Sequence, residues 1–541
     1  MTPDYDLAII GGGINGAGIA RDAALRGLRV ILFEKDDFAR GASGQNGRMI
    51  HGGLKYLATL DIGLVREALQ ERRTLKRIAP HLVRPVDLTM PIRKGGHRKM
   101  TMAAGLLLFD ILNGFRDPRS RMISAEDTLR TCNGLSEKGL VGAAVIHDAW
   151  AEYSERLTIE NLVDASDHRA EILNRARVTS LNATDDGRAI RVTFARAGSP
   201  ARTVSAAVVV NATGAWADEL LADTTGSNQH LLRASKGTIL VVDGLVNAPD
   251  RPIFFETVSD RRPVLISPWN GMHLVGTTDI VVEIPVDSVC AEDSEVDYLL
   301  DEINRSFPRL ALRHENIRYL YTGVRPLPFS TGTSAKVSRH HIVKTHPEFS
   351  DRLITVIGGK LATYRRIAED VLKAAGGKFD RPLARSQTAT RPLPGALDLP
   401  EQKRLEDRAI TLGLSDQSIT HLVKVYGARG AGILDLIDAA PKLAEVVDDE
   451  SGATAAEIHF VIQKEWARDL ADILVRRTMI GRNRFAGANA VAAVVRVLND
   501  IGWSAEVIEK GITDFDAFMS KSKSLIASGK KRVCDGAVRK N

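Results

Sequence analysis

At 541 residues the chain is too long for one ordinary domain, and two or three are expected. Its composition, 44% hydrophobic with 45 glycines, is that of a soluble globular protein, and no run approaches the roughly eighteen apolar residues of a membrane span. The formal net charge of +6 favours a small anionic substrate or an anionic membrane surface over nucleic acid, because no recognition module or basic–aromatic interleaving accompanies the charge.

Cys132, Cys290 and Cys534 are few, widely spaced and odd in number, which points to a reducing compartment and away from a disulfide framework or thiolate metal cluster. The first strand-like run begins almost at Met1, so neither a signal nor a transit peptide is expected. The expected location is therefore cytoplasmic.

Tyr5 to Glu34 is the most informative stretch. An apolar run, Leu7 to Ile10, enters Gly11, Gly13 and Gly16 at the spacing G-x-G-x-x-G. A helical pattern follows through Ala20, Ala24 and Leu25, and a second apolar run, Val30 to Phe33, ends in Glu34. This order suits a dinucleotide: a tight turn at Gly11, close backbone approach to a pyrophosphate at Gly13, and close helix–strand packing at Gly16. The helix N-terminus faces the phosphates with its N–H groups, and the Glu34 carboxylate accepts the ribose hydroxyls.

Asp36 to Tyr56 is a loop region rich in Gly, Ser and Asn, and Asp61 to Ile78 reads as an amphipathic helix stopped by Pro80 and Pro85. Residues 94–99 are basic, and Met100 to Phe115 is strongly apolar between Arg98, Lys99 and Arg116. That segment either lies on a membrane surface or is a buried helix. Asp148 to Asn161 begins another helix, and Thr203 to Asn211 is a buried strand running into Ala212 to Trp216, where Gly214 lets backbone approach a ligand. From Leu232 to Thr278, short runs rich in Val, Ile and Phe read as an antiparallel sheet.

Leu353 to Ile357, Gly358-Gly359 and a helix from Leu361 repeat the strand–glycine–helix style of the start. The expected fold class is therefore α/β with a discontinuous Rossmann-like nucleotide domain over 1–80, 145–230 and 345–385. A substrate domain built on an antiparallel sheet takes 81–144 and 231–344. After Pro392, Pro394 and Pro400 the pattern is helical, giving an all-α domain over 390–520 and a basic tail over 521–541.

Cations beside glycines or strand ends are candidates for holding a phosphate: Lys55, Arg325, Arg339 and Lys360. His51, between Ile50 and Gly52-Gly53, is a candidate proton acceptor, with a structural histidine as the alternative. Thr278 and Asp279 are candidates for holding a substrate hydroxyl, with a turn role for Asp279 as the alternative. No H-E-x-x-H or G-x-S-x-G pattern occurs, so neither a metal nor a serine nucleophile is expected.

Several segments together resemble the flavin-dependent glycerol-3-phosphate dehydrogenases over nearly the whole length: IIGGGINGAGIARDAALRGLRV near the start, MIHGGLKYL at Met49 to Leu57, LVREALQER at Leu64 to Arg72, NATGAW at Asn211 to Trp216, GTTD at Gly276 to Asp279, GVRPL at Gly323 to Leu327, IGGKLATYR at Ile357 to Arg365, and RRT at Arg476 to Thr478. The resemblance implies FAD as cofactor and hydride transfer from C2 of sn-glycerol 3-phosphate to flavin N5. It also implies dihydroxyacetone phosphate as product and a membrane quinone as electron acceptor. With these come peripheral association with the inner, anionic face of the cell membrane and a C-terminal helical cap; a homodimer is left open.

By the same resemblance, Gly11, Gly13, Gly16 and Glu34 hold the ADP half. Ser43, Asn46, Arg48, Gly214, Gly359, Lys360 and Thr363 line the isoalloxazine or pyrophosphate. Lys55, with Tyr56 beside it, stands where the family usually has an arginine. Arg325 and Arg339 bind the phosphate together with Lys360, Thr278 and Asp279 sit near the glycerol hydroxyls, and His51 or water ordered by Arg325 takes the hydroxyl proton. The chain departs from the family pattern at Asn46-Gly47-Arg48, at Glu152 to Leu157, and at Ile239, where a histidine is common. A four-carbon polyol phosphate is therefore an alternative substrate, and a peroxide-forming oxidase an alternative enzyme.

Overall fold

A computed structural model describes residues 2–95, 99–227, 229–246, 248–329 and 340–527, without the side chains of 55, 58, 59 and 520–527. Two sheets organise it. The first runs, in spatial order, Ile342–His346, Leu353–Ile357, Arg202–Asn211, Tyr5–Ile10, Val30–Phe33 and Glu171–Leu173, with two further strands attached at Arg202–Asn211. Its central pairs are parallel, Tyr5–Ile10 lying between Arg202–Asn211 and Val30–Phe33. Parallel strands are covered on both faces, which is why Leu7 to Ile9 and Val30 to Phe33 are continuously apolar and buried.

Helices Ile14–Leu25, Ser154–Asp167 and Tyr364–Ala375 cover one face, with Ala17, Ala20, Ile159, Leu162, Ile367 and Val371 in a common core. The small residues of the first helix let its neighbours approach closely. The nucleotide layer thus gathers segments from the beginning, middle and late part of the chain.

The second sheet has ten strands among the described residues. It is antiparallel except where Ile253–Glu256 meets Val83–Arg93 in parallel, so it is mixed rather than purely antiparallel among the described residues. Its longest ladder pairs Leu232–Val242 with Ile317–Pro328. Met49–Ile50 pairs with Leu140–Ala151 in this sheet, so the chain crosses between the two layers already at residue 49. Helix Asp293–Ser306 packs Val296, Leu299 and Ile303 against Leu240, Val264 and Val275.

Beyond residue 398 the chain is mainly helical, from Leu399–Thr411 to Ala505–Ala527, with one small two-stranded ribbon, Val446–Asp448 and Ala453–Thr454. Leu422, Ile433, Ile458 and Leu474 share a core with Ile239, Trp269, Tyr319 and Tyr321 of the second sheet. This helical unit is therefore seated on the sheet. Cys132 is a buried free thiol.

Candidate functional site

The first strand ends at Ile10, and the chain must turn at once to enter the helix. Gly11 makes the turn at φ +111°, and a Cβ there would lie 2.6 Å from the Ala212 carbonyl oxygen. A Cβ on Gly16 would collide with the Gly11 carbonyl oxygen, so its absence sets the close helix–strand packing. Gly13 caps the helix in extended conformation without a side chain, and Ser43 Oγ accepts the Ile14 N–H at 2.9 Å. Ala212 N donates to the Ile10 carbonyl at 2.8 Å, which brings Gly214 to the same strand ends.

At the next strand end, Glu34 accepts the Gly12 and Asp36 N–H groups at 2.7 and 2.8 Å. Burial pushes its carboxyl up to about 7, further than those two hydrogen bonds lower it.

The late glycine pair closes the other side. Asn15 Nδ2 donates to the Gly358 carbonyl at 3.4 Å. Gly359 has φ +94°, and a Cβ on it would collide with Ile367 of the following helix. The Thr363 hydroxyl accepts the Lys360 N–H at 3.3 Å as that helix begins, and the Lys360 ammonium lies 4.0 Å over the Tyr56 ring. Gly11, Gly13, Gly16, Ser43, Gly214, Gly359, Lys360 and Thr363 thus converge from four separate stretches of chain.

Two expected members of this group face elsewhere. Asn46 is tied inward, its amide donating to Ser43 O at 2.8 Å and Ser154 Oγ at 2.9 Å while its oxygen accepts Arg48 N. Arg48 is fully buried under the loop, donating through both terminal nitrogens to Glu155 and also to Ser154 Oγ and Gly44 O. It is stacked near Trp269 and Tyr321, 5.0 and 5.8 Å from their ring centres. Burial alone would raise the Glu155 carboxyl, but Arg48 and Arg482 hold it below the ordinary value.

The strand Ile317–Pro328 links this loop to the substrate end. A Cβ on Gly323 would collide with the Gln45 carbonyl, and Pro328 packs against Gly358. Between them Arg325 reaches across the ladder into space left by Gly237, where a Cβ would collide with the guanidinium. Its donors meet Thr277 Oγ1 at 2.5 Å, Thr278 O at 3.2 Å, Ser235 Oγ at 3.4 Å and Asp279 Oδ1 at 3.3 Å, and it stays about one quarter exposed.

Asp279 also accepts the Ser235 hydroxyl. Thr278 is only 3% exposed and points inward: its hydroxyl donates to Glu295 at 2.6 Å and accepts the Thr238 N–H at 2.9 Å. Both threonines lie in the short link between strands Met272–Gly276 and Ile280–Val281, and the path of that link sends their side chains to different partners. Thr277, which the sequence reading passed over, is the threonine that reaches Arg325, and the adjacent Gly276 was the available signal.

His51 is exposed, with Nδ1 3.5 Å from Asp148 Oδ2. Asp148, also missed, holds Gly52 N at 2.7 Å and Arg72 at 2.9 Å. The Lys55 side chain and the whole of Arg339 lie outside the described residues.

A family model described as FAD dependent oxidoreductase matches residues 6–365. The chain belongs to the FAD-dependent oxidoreductases. A second model, the C-terminal domain of alpha-glycerophosphate oxidase, matches residues 386–508 of this oxidoreductase. It is 39% identical over 534 residues to a glycerol-3-phosphate dehydrogenase of Synechocystis sp., covering 96% of this chain and 97% of that one. It is also 32% identical over 487 residues to a D-erythritol 1-phosphate dehydrogenase of Brucella abortus, covering 87% and 94%. Among solved structures, the glycerol-3-phosphate dehydrogenase from Bacillus halodurans complexed with FAD superposes with a TM-score of 0.76 at 24% identity, over 97% and 96% of the two chains.

The geometry fits that cofactor. The glycine turn runs straight into a helix N-terminus, a backbone geometry suited to a pyrophosphate, and Glu34 stands at the adjoining strand end.

Proposed function

We propose that this oxidoreductase oxidises sn-glycerol 3-phosphate at C2 to dihydroxyacetone phosphate and passes the electrons to a membrane quinone. The observation that carries the reading is Arg325, half-buried on the strand that runs between the cofactor loop and the Gly358-Gly359 turn. Its guanidinium is engaged by Thr277, Thr278 O, Ser235 and Asp279 yet remains about one quarter exposed, so a phosphate is proposed to meet its open edge, and a dianion is held best by several charge-assisted hydrogen bonds. Lys360, on the face of Tyr56, supplies a second cation beside the cofactor glycines; Lys55 and Arg339 are proposed to complete the set.

FAD, when bound, supplies the hydride acceptor. The chain's task is to hold C2 in contact with it and to take the hydroxyl proton. His51, exposed and with Nδ1 3.5 Å from Asp148 Oδ2, is the group proposed to take that proton. Water ordered beside Arg325 is the other proposed route.

The test is anaerobic flavin reduction, followed by absorbance, with glycerol 3-phosphate, glycerol and four-carbon polyol phosphates. Bleaching by glycerol 3-phosphate alone supports the reading. Bleaching by a tetritol phosphate instead overturns it in favour of the second substrate, which the 32% identity to a D-erythritol 1-phosphate dehydrogenase makes the specific competitor. Electron transfer to a soluble quinone analogue, without peroxide, separates a dehydrogenase from an oxidase.

Peripheral membrane binding is part of the same proposal. No helix of the described residues is long and apolar enough to cross a membrane. Helix Lys99–Asn113 buries Leu106 and Phe109 but leaves Met100, Leu107 and Ile111 outward, Met100 by 85%, with Phe115 exposed just beyond it. Arg116 and Arg119 follow at its end. An apolar outer face with cations at its margin suits an anionic bilayer surface.

A further inference from the structure

The C-terminal region reaches the nucleotide sheet through buried charges at one particular turn. Asp37, 1% exposed, follows Glu34 closely in the chain. Its carboxylate accepts Arg476 Nε at 2.6 Å, Arg477 Nη1 and Nη2 at 3.0 and 2.8 Å, and Asn174 Nδ2 at 3.2 Å. The second positive charge is balanced by Asp472, which also takes Arg175, and Arg175 in turn reaches Asp469.

The neighbouring residue is held from the same two sides. A Cβ on Gly12 would lie 2.5 Å from the Phe38 ring, so Phe38 packs against the glycine turn itself. The other side of that ring meets Trp466 edge-on at 5.7 Å, with the Arg477 guanidinium 5.7 Å above it. Hydrogen bonds to backbone carbonyls complete the frame: Ala39 N to Gly12 O at 3.1 Å, Arg175 N to Asp36 O at 3.0 Å, and the Asn174 side-chain Nδ2 to Trp466 O at 2.8 Å. The turn from Glu34 to Phe38 is thus sandwiched between the glycine motif and residues 466–477.

A buried ion cluster is a weak stability device, because apolar residues of similar shape hold a fold together as well or better. It does set geometry, since a bidentate guanidinium accepts only a narrow range of carboxylate positions. Here the carboxylate so placed belongs to the turn that carries Glu34, the ribose-reading group. We propose that Arg476 and Arg477 are positioning residues for the adenosine end of FAD: through Asp37 they hold the turn at 34–38, and so make cofactor retention depend on the C-terminal region.

The test uses the full-length chain with Arg477→Lys and, separately, Arg476→Lys, each of which keeps the charge and loses the fork. FAD and ADP affinities are measured on flavin-stripped protein by calorimetry, alongside the KM for glycerol 3-phosphate at saturating FAD. The expected result is a tenfold or greater loss of both FAD and ADP affinity, with KM within twofold of the parent. Faster amide exchange over residues 34–38 should accompany it. Affinities within twofold of the parent alongside a lower melting temperature would show a merely structural cluster and overturn the proposal. A loss of FAD affinity with unchanged ADP affinity would also overturn it, because the effect would then lie at the flavin end. FAD binding by the parent in the same assay separates these outcomes from any failure of the cofactor reading.

Discussion

Arg48 and Glu155, 107 residues apart in the chain, form a buried ion pair with two guanidinium–carboxylate contacts under the cofactor loop. Both belong to segments in which the chain departs from the pattern of the family it resembles, and the neighbours Asn46 and Ser154 are bonded as well. Those two departures are therefore one feature in space. The third, Ile239, pairs in the ladder with Tyr321, whose hydroxyl donates to the Asn46 carbonyl at 3.0 Å. All three adjoin a single wall of the site.

Removing one member of this cluster leaves charge buried without compensation. Arg48→Met should cost about 3–5 kcal/mol in urea unfolding of the FAD-loaded protein. Glu155→Leu should cost more than Arg48→Met, because Arg482 also relies on that carboxylate at 2.7 Å. The double variant Arg48→Met, Glu155→Leu should fall well short of the sum. Additive losses would show that the pair is not coupled.

Arg325→Met should lower kcat/KM for the phosphorylated substrate about ten- to two-hundredfold, the loss of one charge-assisted contact at roughly 1.5–3 kcal/mol. FAD affinity should stay unchanged. Gly237→Ala is the sharper test: it leaves every charge in place but puts a methyl group where the guanidinium lies. It should reproduce most of the Arg325→Met defect in steady-state kinetics.

FAD affinity should depend on pH through Glu34. Its carboxyl, raised from 4.5 to about 7, favours the protonated form in the flavin-stripped protein. Its contribution to folding is therefore fully present below about 4.5 and is lost as pH rises through about 7. Ribose hydroxyls donate to the carboxylate, so binding runs the other way and strengthens over the same rise. Calorimetric Kd values for FAD should be weaker at pH 6 than at pH 8, and Glu34→Gln should flatten the profile.

The outer face of Lys99–Asn113 should govern sedimentation with vesicles. Leu107→Glu with Ile111→Glu removes two side chains, each worth about 1.5–3 kcal/mol if fully buried in lipid, and adds charge repelled by anionic headgroups. Co-sedimentation with anionic vesicles should drop at least tenfold. Turnover with a soluble electron acceptor should be unchanged.

The nucleotide unit was legible because its signals are local. A glycine spacing, an apolar run and a terminal acid within Tyr5 to Glu34 dictate a tight turn, a parallel strand and a carboxyl placed at the strand end with little help from elsewhere. The late unit at Gly358-Gly359 was legible for the same reason. The helical C-terminal region was visible from periodicity, although its small β-ribbon was not, being only a few residues long.

What the sequence by itself determined was the layer architecture, the cofactor motif and the candidate cations, each written in patterns spanning a few turns of chain. Tertiary structure alone decided which way side chains point. The path of the link between strands Met272–Gly276 and Ile280–Val281 turns the Thr278 hydroxyl inward to Glu295 and leaves Thr277 for Arg325, while Gly237 makes the room that Arg325 occupies. Arg48, read from sequence as a cofactor-lining cation, is claimed by a carboxylate contributed from a distant helix. In the sequence the pair Arg476-Arg477 carries no signal beyond the family resemblance. Its partner Asp37 lies 440 residues from Arg477, a separation at which no local pattern carries information and only packing brings charges together.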